Sequence, residues 1–385
     1  MRLSLISSSA LVVALAITGS AQKPAPDQAG QAGQPNWPLG PFTRPVHEPL
    51  IKPRPESVFH DSLSHDPLNA APVHWEALHT FNPAAVVRNG KVMVLYRAED
   101  DSGAMQIGMH TSRLGLAESE DGIHFTRLPE PVFYPAEDSQ KAREWPGGVE
   151  DPRIVEAPDG TYVLTYTQWN RKTYTIGVAT SPDLVHWTKH GPALGETGPY
   201  ANLMYKSGGI VTRLDHGRLI AARMHGQFWM YWGEIQVRLA TSPDLIHWTP
   251  VEESPGKPLV VLEKRPGLFD SGFPEVGTPP ILTPQGILVM YNGKNAEAGA
   301  ANHPDRELDP GAYSVGEALF DPEHPTRRLQ RLDQPVLHPE MPYERSGQYA
   351  AGTTFGEGLV YFKGKWFLYY GCADSFVAVA TAQSF

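Results

Sequence analysis

Residues 178–190 read VATSPDLVHWTKH, residues 239–251 read LATSPDLIHWTPV, and residues 116–128 read LAESEDGIHFTRL. Aligned on Ala117, Ala179 and Ala240, the three copies lie 62 and 61 residues apart. Two weaker copies, GEALFDPEHPTRRLQR around Ala318 and VAVATA around Ala380, continue the series at intervals of 78 and 62. Each copy follows a glycine-led aromatic segment: GKVMVLYRAED from Gly90, GTYVLTYTQWN from Gly160, GRLIAARMH from Gly217, GILVMYNGKN from Gly286 and GKWFLYYGCAD from Gly364. Alternating apolar positions rich in β-branched and aromatic residues predict strands. Strands and turns recurring at this period predict a radial repeat, an all-β five-bladed β-propeller over residues 46–385, with surplus loops on one face to line a pocket. A β-sandwich with chance resemblance between strands is the competing arrangement. Three in-register copies of S-x-D-x-x-H-[FW]-T argue against it.

The composition agrees. With 41% hydrophobic and 19% charged residues the chain is globular rather than disordered. Lys+Arg 32 against Asp+Glu 42 leaves a net charge of −10 with no basic run, which argues against nucleic acid or an anionic membrane as partner. A single cysteine, Cys372, excludes an intramolecular disulfide and a multi-cysteine zinc site. Nothing in the sequence demands a metal or cofactor.

The N-terminus carries Arg2, an apolar stretch over residues 10–17 and the small residues Gly19, Ser20 and Ala21, the pattern of a signal peptide over residues 1–21. The apolar stretch is too short to span a bilayer. Residues 22–45 begin a Gln/Pro/Gly-rich tether. An exported protein, periplasmic or secreted and without a membrane anchor, is expected.

A residue that recurs in every blade belongs to the scaffold, because one active site needs unlike residues from different blades. His124, His186 and His247 are therefore expected to be structural, with Asp183 and Asp244 accepting backbone N–H groups in turns and Trp187 and Trp248 packing between blades. Chemistry is expected where the repeat breaks, first at WPGGVEDPRIV over residues 145–155. Gly147 and Gly148 allow a tight turn, and Glu150 and Asp151 set adjacent carboxylates at the mouth of a strand. The plainer alternative is that Asp151 pairs with Arg153 or caps a turn.

GGVEDPRIV, with FNPAAVVRNGKVMVLYRAED before it and YERSGQYAAGTTFGEGLVYFKGKWFLYYGCADS at the end, resembles glycoside hydrolase family 130 from about Trp75 to the C-terminus. The resemblance implies a five-bladed propeller that acts on β-mannosides with inversion, by phosphorolysis in most branches and by hydrolysis in at least one. It places the general acid on Asp151, beside Glu150, and contacts to the reacting sugar on Asn82, Arg97 and Asp374.

The chemistry needs a protonated carboxyl to assist the leaving oxygen and a nucleophile from the opposite face. Phosphorylases of the family carry a histidine in a YHG segment, where this chain reads VMYNGKN with Asn292. Glu234 in FWMYWGEIQVRLATS and Glu275 in LFDSGFPEVGTPPI look like the glutamate pair of the β-1,2-mannosidase branch, which activates water. Lys206 and Arg223 lie where phosphate-binding cations are expected and keep phosphorolysis, with inorganic phosphate as partner, as the alternative. Read without the resemblance, Glu234 would neutralise Arg238 or Arg223, and Glu275 would satisfy backbone donors in its loop. Trp229, Met230, Tyr231 and Trp232 offer either a sugar-stacking surface or core, and Cys372 a small buried thiol. The polar insertion holding Asp305, Arg306, Glu307 and Asp309 either borders the leaving-group subsite or is solvated loop. Export favours hydrolysis, because a sugar phosphate is useful only where it can be kept. A propeller that only binds glycans is the remaining class, and the acid Asp151 argues against it.

Overall fold

A computed structural model of the chain describes residues 37–63 and 72–383; the expected signal peptide lies outside them. Strands dominate, and the helical elements are one turn each, Lys141–Glu144 and Pro342–Glu344. The strands follow one another as antiparallel meanders. His79–Arg88, Lys91–Glu99 and Ser112–Ser119 form the first, and Gly148–Glu156, Tyr162–Trp169 and Tyr174–Ser181 the second. Gly208–Ile210, Gln227–Trp232 and Val237–Ser242 make the next. Phe273–Val276 and Ile281–Thr283 both pair with Gly286–Lys294, which pairs with Tyr313–Phe320. Thr354–Phe362, Lys365–Cys372 and Phe376–Ala382 form the last. The repeated alanines 117, 179, 240, 318 and 380 all fall in the third strand of a meander.

The core is divided between neighbouring meanders. Ala84, Leu95 and Leu116 pack with Ile154, Leu164 and Ala179 of the second meander. Val163 and Val178 pack with Met230 and Ala240, and Tyr231 and Leu239 with Val289 and Ala318. Leu288 and Val315 pack with Leu368 and Ala380, and Phe367 and Val379 return to Val94 and Ala117 of the first meander. The packing is thus cyclic, and strands buried on both faces carry near-continuous apolar runs. The N-terminal segment seals the junction: Thr43 pairs with Thr381, Ile51 with Val377, and Trp37, Leu39 and Phe42 are buried. The packed body therefore reaches back to Trp37, into the stretch read as tether, because three apolar side chains there have a groove to fill.

The repeated turn is scaffold. Ser181 Oγ accepts from Leu184 N–H at 2.8 Å, and Asp183 Oδ1 from Val185 and His186 N–H at 2.9 and 2.8 Å. His186 Nδ1 closes on Asp183 Oδ2 at 2.7 Å, and the copies at Asp121–His124 and Asp244–His247 repeat the contact. Trp187 and Trp248 cap the same turn through Leu184 and Leu245 carbonyls.

Candidate active site

Where the repeat breaks, so does strand regularity. The ladder slips between Phe81 and Pro83 and between Glu150 and Arg153, and the skipped residues Asn82 and Asp151 hold φ of 46° and 48°. Asp374, after the strand ending at Cys372, holds φ 50°. Left-handed backbone is costly for residues other than glycine and persists where surrounding structure enforces it; a bulge also re-aims the side chain it carries. All three side chains turn into one cavity of about 330 Å³, at the small end of ligand clefts. Gly148 opens this strand with φ 116°, and a Cβ there would meet the Ser112 carbonyl oxygen at 2.3 Å.

Two cations organise the cavity. Arg97, buried and stacked 4.5 Å from the Phe81 ring, reaches Glu99 at 2.6 Å, Glu150 at 2.8 Å and Asp151 at 3.0 Å. Asn82 donates to the same Asp151 oxygen at 2.8 Å. Lys206 Nζ stands 3.4 Å from Glu275, 3.6 Å from Glu234 and 3.8 Å from Asp151. Ser207 Oγ donates to Glu275 Oε1 at 2.5 Å. Asp151 and the two glutamates are thus bridged through one ammonium rather than bonded to one another.

Below the cavity floor, Arg153 fastens the strands. It donates to the Asp151 carbonyl at 3.0 Å, Val276 at 2.7 Å and Gly277 at 3.1 Å, and pairs with buried Glu357 at 2.9 Å. Arg153 therefore holds the backbone of Asp151, not its carboxylate, and leaves that carboxylate to the cavity.

The carboxylates outnumber the cations, so some hold protons. Burial pushes Glu150 up to about 7, with Arg97 opposing, and pushes Asp374 up to about 7 against the same guanidinium. Glu275 is raised by burial although Lys206 opposes, and Glu357 is raised well above the carboxylate range for the same reason. Asp151 goes the other way. Burial would raise it, but Arg97 and then Lys206 face it and hold it below the usual range, so in the empty cavity it is an anion. Lys206 keeps its proton because Glu275, Glu234 and Asp151 outweigh its desolvation.

Aromatic side chains supply the walls. Trp169 is anchored by Nε1 to the Gly108 carbonyl at 2.9 Å, and Tyr174, Tyr313 and Tyr349 face the acids. Tyr174 is raised to about 12 by burial and by its hydrogen bond to Glu234. None of these was singled out from the sequence. The signal was there in GTYVLTYTQWN, whose strand ends at Trp169, but the strand's direction into the cavity was not.

Of the expected residues, Asn82, Arg97, Glu150, Asp151, Lys206, Glu234, Glu275 and Asp374 line this cavity. Two do not, and both are corrections. Asn292 is buried with its amide tied to Gly356, accepting from N–H at 2.8 Å and donating to the carbonyl at 3.2 Å, so it stitches two strands and touches no ligand. Arg223 lies on the short strand Arg223–Met224, donates to the Gly226 and Pro243 carbonyls and stacks 4.1 Å from the Phe228 ring, on a different surface groove. Met230, Tyr231 and Trp232 are core, and Trp229 caps the Met224 carbonyl, so no stacking surface forms there. Cys372 is buried as expected. Asp309 pairs with Arg345, and Asp305 folds against Asn295.

Residues 48–384 match the family model Glyco_hydro_130, described as beta-1,4-mannooligosaccharide phosphorylase. The chain is 31% identical over 312 residues to a 1,2-beta-oligomannan phosphorylase of Thermoanaerobacter sp. (strain X514), covering 80% of this chain and 91% of that protein. Among solved structures, a glycosyl hydrolase from Bacteroides ovatus is 49% identical with TM-score 0.85, covering 90% of this chain and 95% of that one. Another, at 47% identity and TM-score 0.85 over 91% and 98% of the two chains, comes from work describing glycoside hydrolases of the GH130 family "that target beta-1,2 mannosidic linkages in Candida mannan".

Proposed function

The chain belongs to glycoside hydrolase family 130, whose members act on β-1,2 and β-1,4 mannosides as phosphorylases or hydrolases, and from that membership we propose that this one is an exported, inverting hydrolase of β-1,2-linked manno-oligosaccharides. The observation that carries the choice of nucleophile is Lys206, held within 3.4 to 3.8 Å of Glu275, Glu234 and Asp151. A phosphate dianion arriving there would meet carboxylates already answering the one ammonium, and like charges at such range repel strongly in a buried site. Water meets no such barrier, and a carboxylate beside it is what it needs to attack.

In this reading the sugar sits against Asn82, Arg97 and Asp374. The leaving oxygen takes a proton through Asp151, the anomeric C–O bond breaks, water attacks from the opposite face, and its proton passes to the Glu234–Glu275 pair. Asp151 is ionised in the empty cavity, so it draws the proton from the buried carboxyls around it; Glu150 and Asp374, which hold theirs to about 7, are the store. The scaffold is read as five propeller blades, supported by the cyclic order of the cores between meanders. Export rests on the N-terminal sequence pattern. Phosphorolysis is the second reading, favoured by Lys206 itself and by the oligomannan phosphorylase likeness.

The test is product analysis on β-1,2-, β-1,3- and β-1,4-mannobiose, each with and without inorganic phosphate. Free mannose from the β-1,2 substrate in phosphate-free buffer is expected. Mannose 1-phosphate formed only when phosphate is present would replace this reading with the second.

A further inference from the structure

His79, Glu99 and His110 stand together beside the cavity, one ligand atom of each within 4.8 Å of the others. None was singled out by the sequence pattern, and the proposed hydrolysis uses none of them. We propose that the three form a binding site for one divalent transition-metal ion, Zn²⁺ by its ligand chemistry, which pins the pocket-wall loop ending at His110 to the strands that carry Asn82 and Arg97.

Two imidazoles and a carboxylate are the donor set of three-ligand zinc sites, which leave a fourth position to water. The second shell is already in place. His110, 2% exposed, sets Nδ1 2.8 Å from the Ser102 carbonyl oxygen. A carbonyl can only accept, so Nδ1 carries the proton and Nε2 of the neutral ring presents a lone pair, the arrangement in which histidines bind metals. His79 Nδ1 is fixed in turn by Ser375 Oγ at 2.9 Å. Glu99 accepts from Arg97 on Oε1 at 2.6 Å and from Gln348 on Oε2 at 3.0 Å, and each oxygen keeps a further lone pair.

Charge permits the ion. Arg97 is the nearest cation, and Glu150 and Asp151 share it with Glu99, so its charge is divided among three carboxyl groups. Closing zinc bonds of about 2.0–2.2 Å brings ligand atoms to roughly 3.4 Å apart, a side-chain movement of about 1 Å from the observed spacing.

The three ligands come from separate segments. His79 begins the strand that bulges at Asn82, and Glu99 ends the strand holding Arg97. His110 closes the segment that places Ile107 and Gly108 on the cavity wall. An ion here would be structural: it would hold the wall in register with the sugar-binding residues and take no part in bond breaking.

The test uses the whole protein, stripped with chelator and dialysed into metal-free buffer, then titrated calorimetrically with ZnCl₂, with MnCl₂ and CaCl₂ as comparators. One equivalent of Zn²⁺ is expected, with a rise in melting temperature. His79→Ala and His110→Ala should each weaken binding by roughly 10-fold or more. His110→Gln, which keeps a donor for the Ser102 carbonyl, guards against a folding defect and should lose Zn²⁺ while retaining the native circular dichroism spectrum. Absence of Zn²⁺ binding by the wild type, or equal binding by a folded His79→Ala/His110→Ala double variant, would overturn the proposal. Because the readout is metal binding, the result is separable from whether the enzyme hydrolyses or phosphorolyses.

Discussion

The ammonium of Lys206 lies 3.4 Å from Glu275 Oε1 and is shared with Glu234 and Asp151, so the buried cation best placed to hold an anion is already occupied. Removing the glutamate charges should free it. Glu234→Gln/Glu275→Gln is expected to lose hydrolysis by about 100-fold or more, the scale of general-base catalysis. Inorganic phosphate should begin to compete with substrate in that variant, at concentrations that leave the wild type untouched. Steady-state inhibition by phosphate, measured for both proteins, reads this directly.

Asp151 is proposed to deliver the proton. Asp151→Asn keeps the shape and a partner for Asn82, so kcat on a mannobiose should fall by about 10² to 10⁴ while KM moves little. Substrates with a better leaving group than a sugar, such as an aryl mannoside, should recover part of that loss. Equal loss on both kinds of substrate would remove Asp151 from the acid role.

The pH dependence follows from the protons stored beside Arg97. Glu150 and Asp374 hold theirs to about 7 in the folded protein, whereas unfolded carboxyls release near about 4. A raised folded value means that the stability these groups contribute is full below about pH 4 and is lost as pH rises through about 7. Urea midpoints should therefore fall between pH 5 and pH 8, and Asp374→Asn should flatten that slope. The rate constant kcat/KM should likewise fall on the alkaline side of about 7, as the acid's supply titrates away.

Arg153 and Glu357 form a fully buried pair, and Arg153 also holds three backbone carbonyls under the cavity. Arg153→Met should destabilise by about 3–5 kcal/mol, because it strands a buried carboxyl and unpaired carbonyls. Arg153→Met/Glu357→Leu should cost less than the sum of the single changes, measured by denaturant titration as a double-mutant cycle.

The surface turns make a control. His186→Ala breaks only an exposed contact to Asp183 and should leave kcat and KM unchanged.

The scaffold could be read from the chain because S-x-D-x-x-H is a local pattern: the serine, the aspartate and the backbone N–H groups it satisfies lie within six residues, and the same turn recurs at Asp121, Asp183 and Asp244. Bulged positions were legible for a similar reason, since Asn82 and Asp151 each precede a proline in an otherwise regular strand. Contacts across the ring were not. Asn292 sits in a strand whose neighbours line the site, yet its amide is spent on Gly356, 64 residues away. Arg223 sits at a strand edge, where one residue of register decides between cavity and outer surface. The Lys206 clamp and the His79, Glu99 and His110 group draw on segments far apart in sequence, with no periodicity to reveal them.

The most direct test of water as the nucleophile is a ¹H NMR time course on β-1,2-mannobiose in phosphate-free buffer, at an enzyme concentration that outruns mutarotation. The account predicts free α-mannose as the first-formed anomer, released from the β-linked sugar by single inversion. Formation of β-mannose first, or no cleavage until phosphate is added and α-mannose 1-phosphate appears, would contradict it.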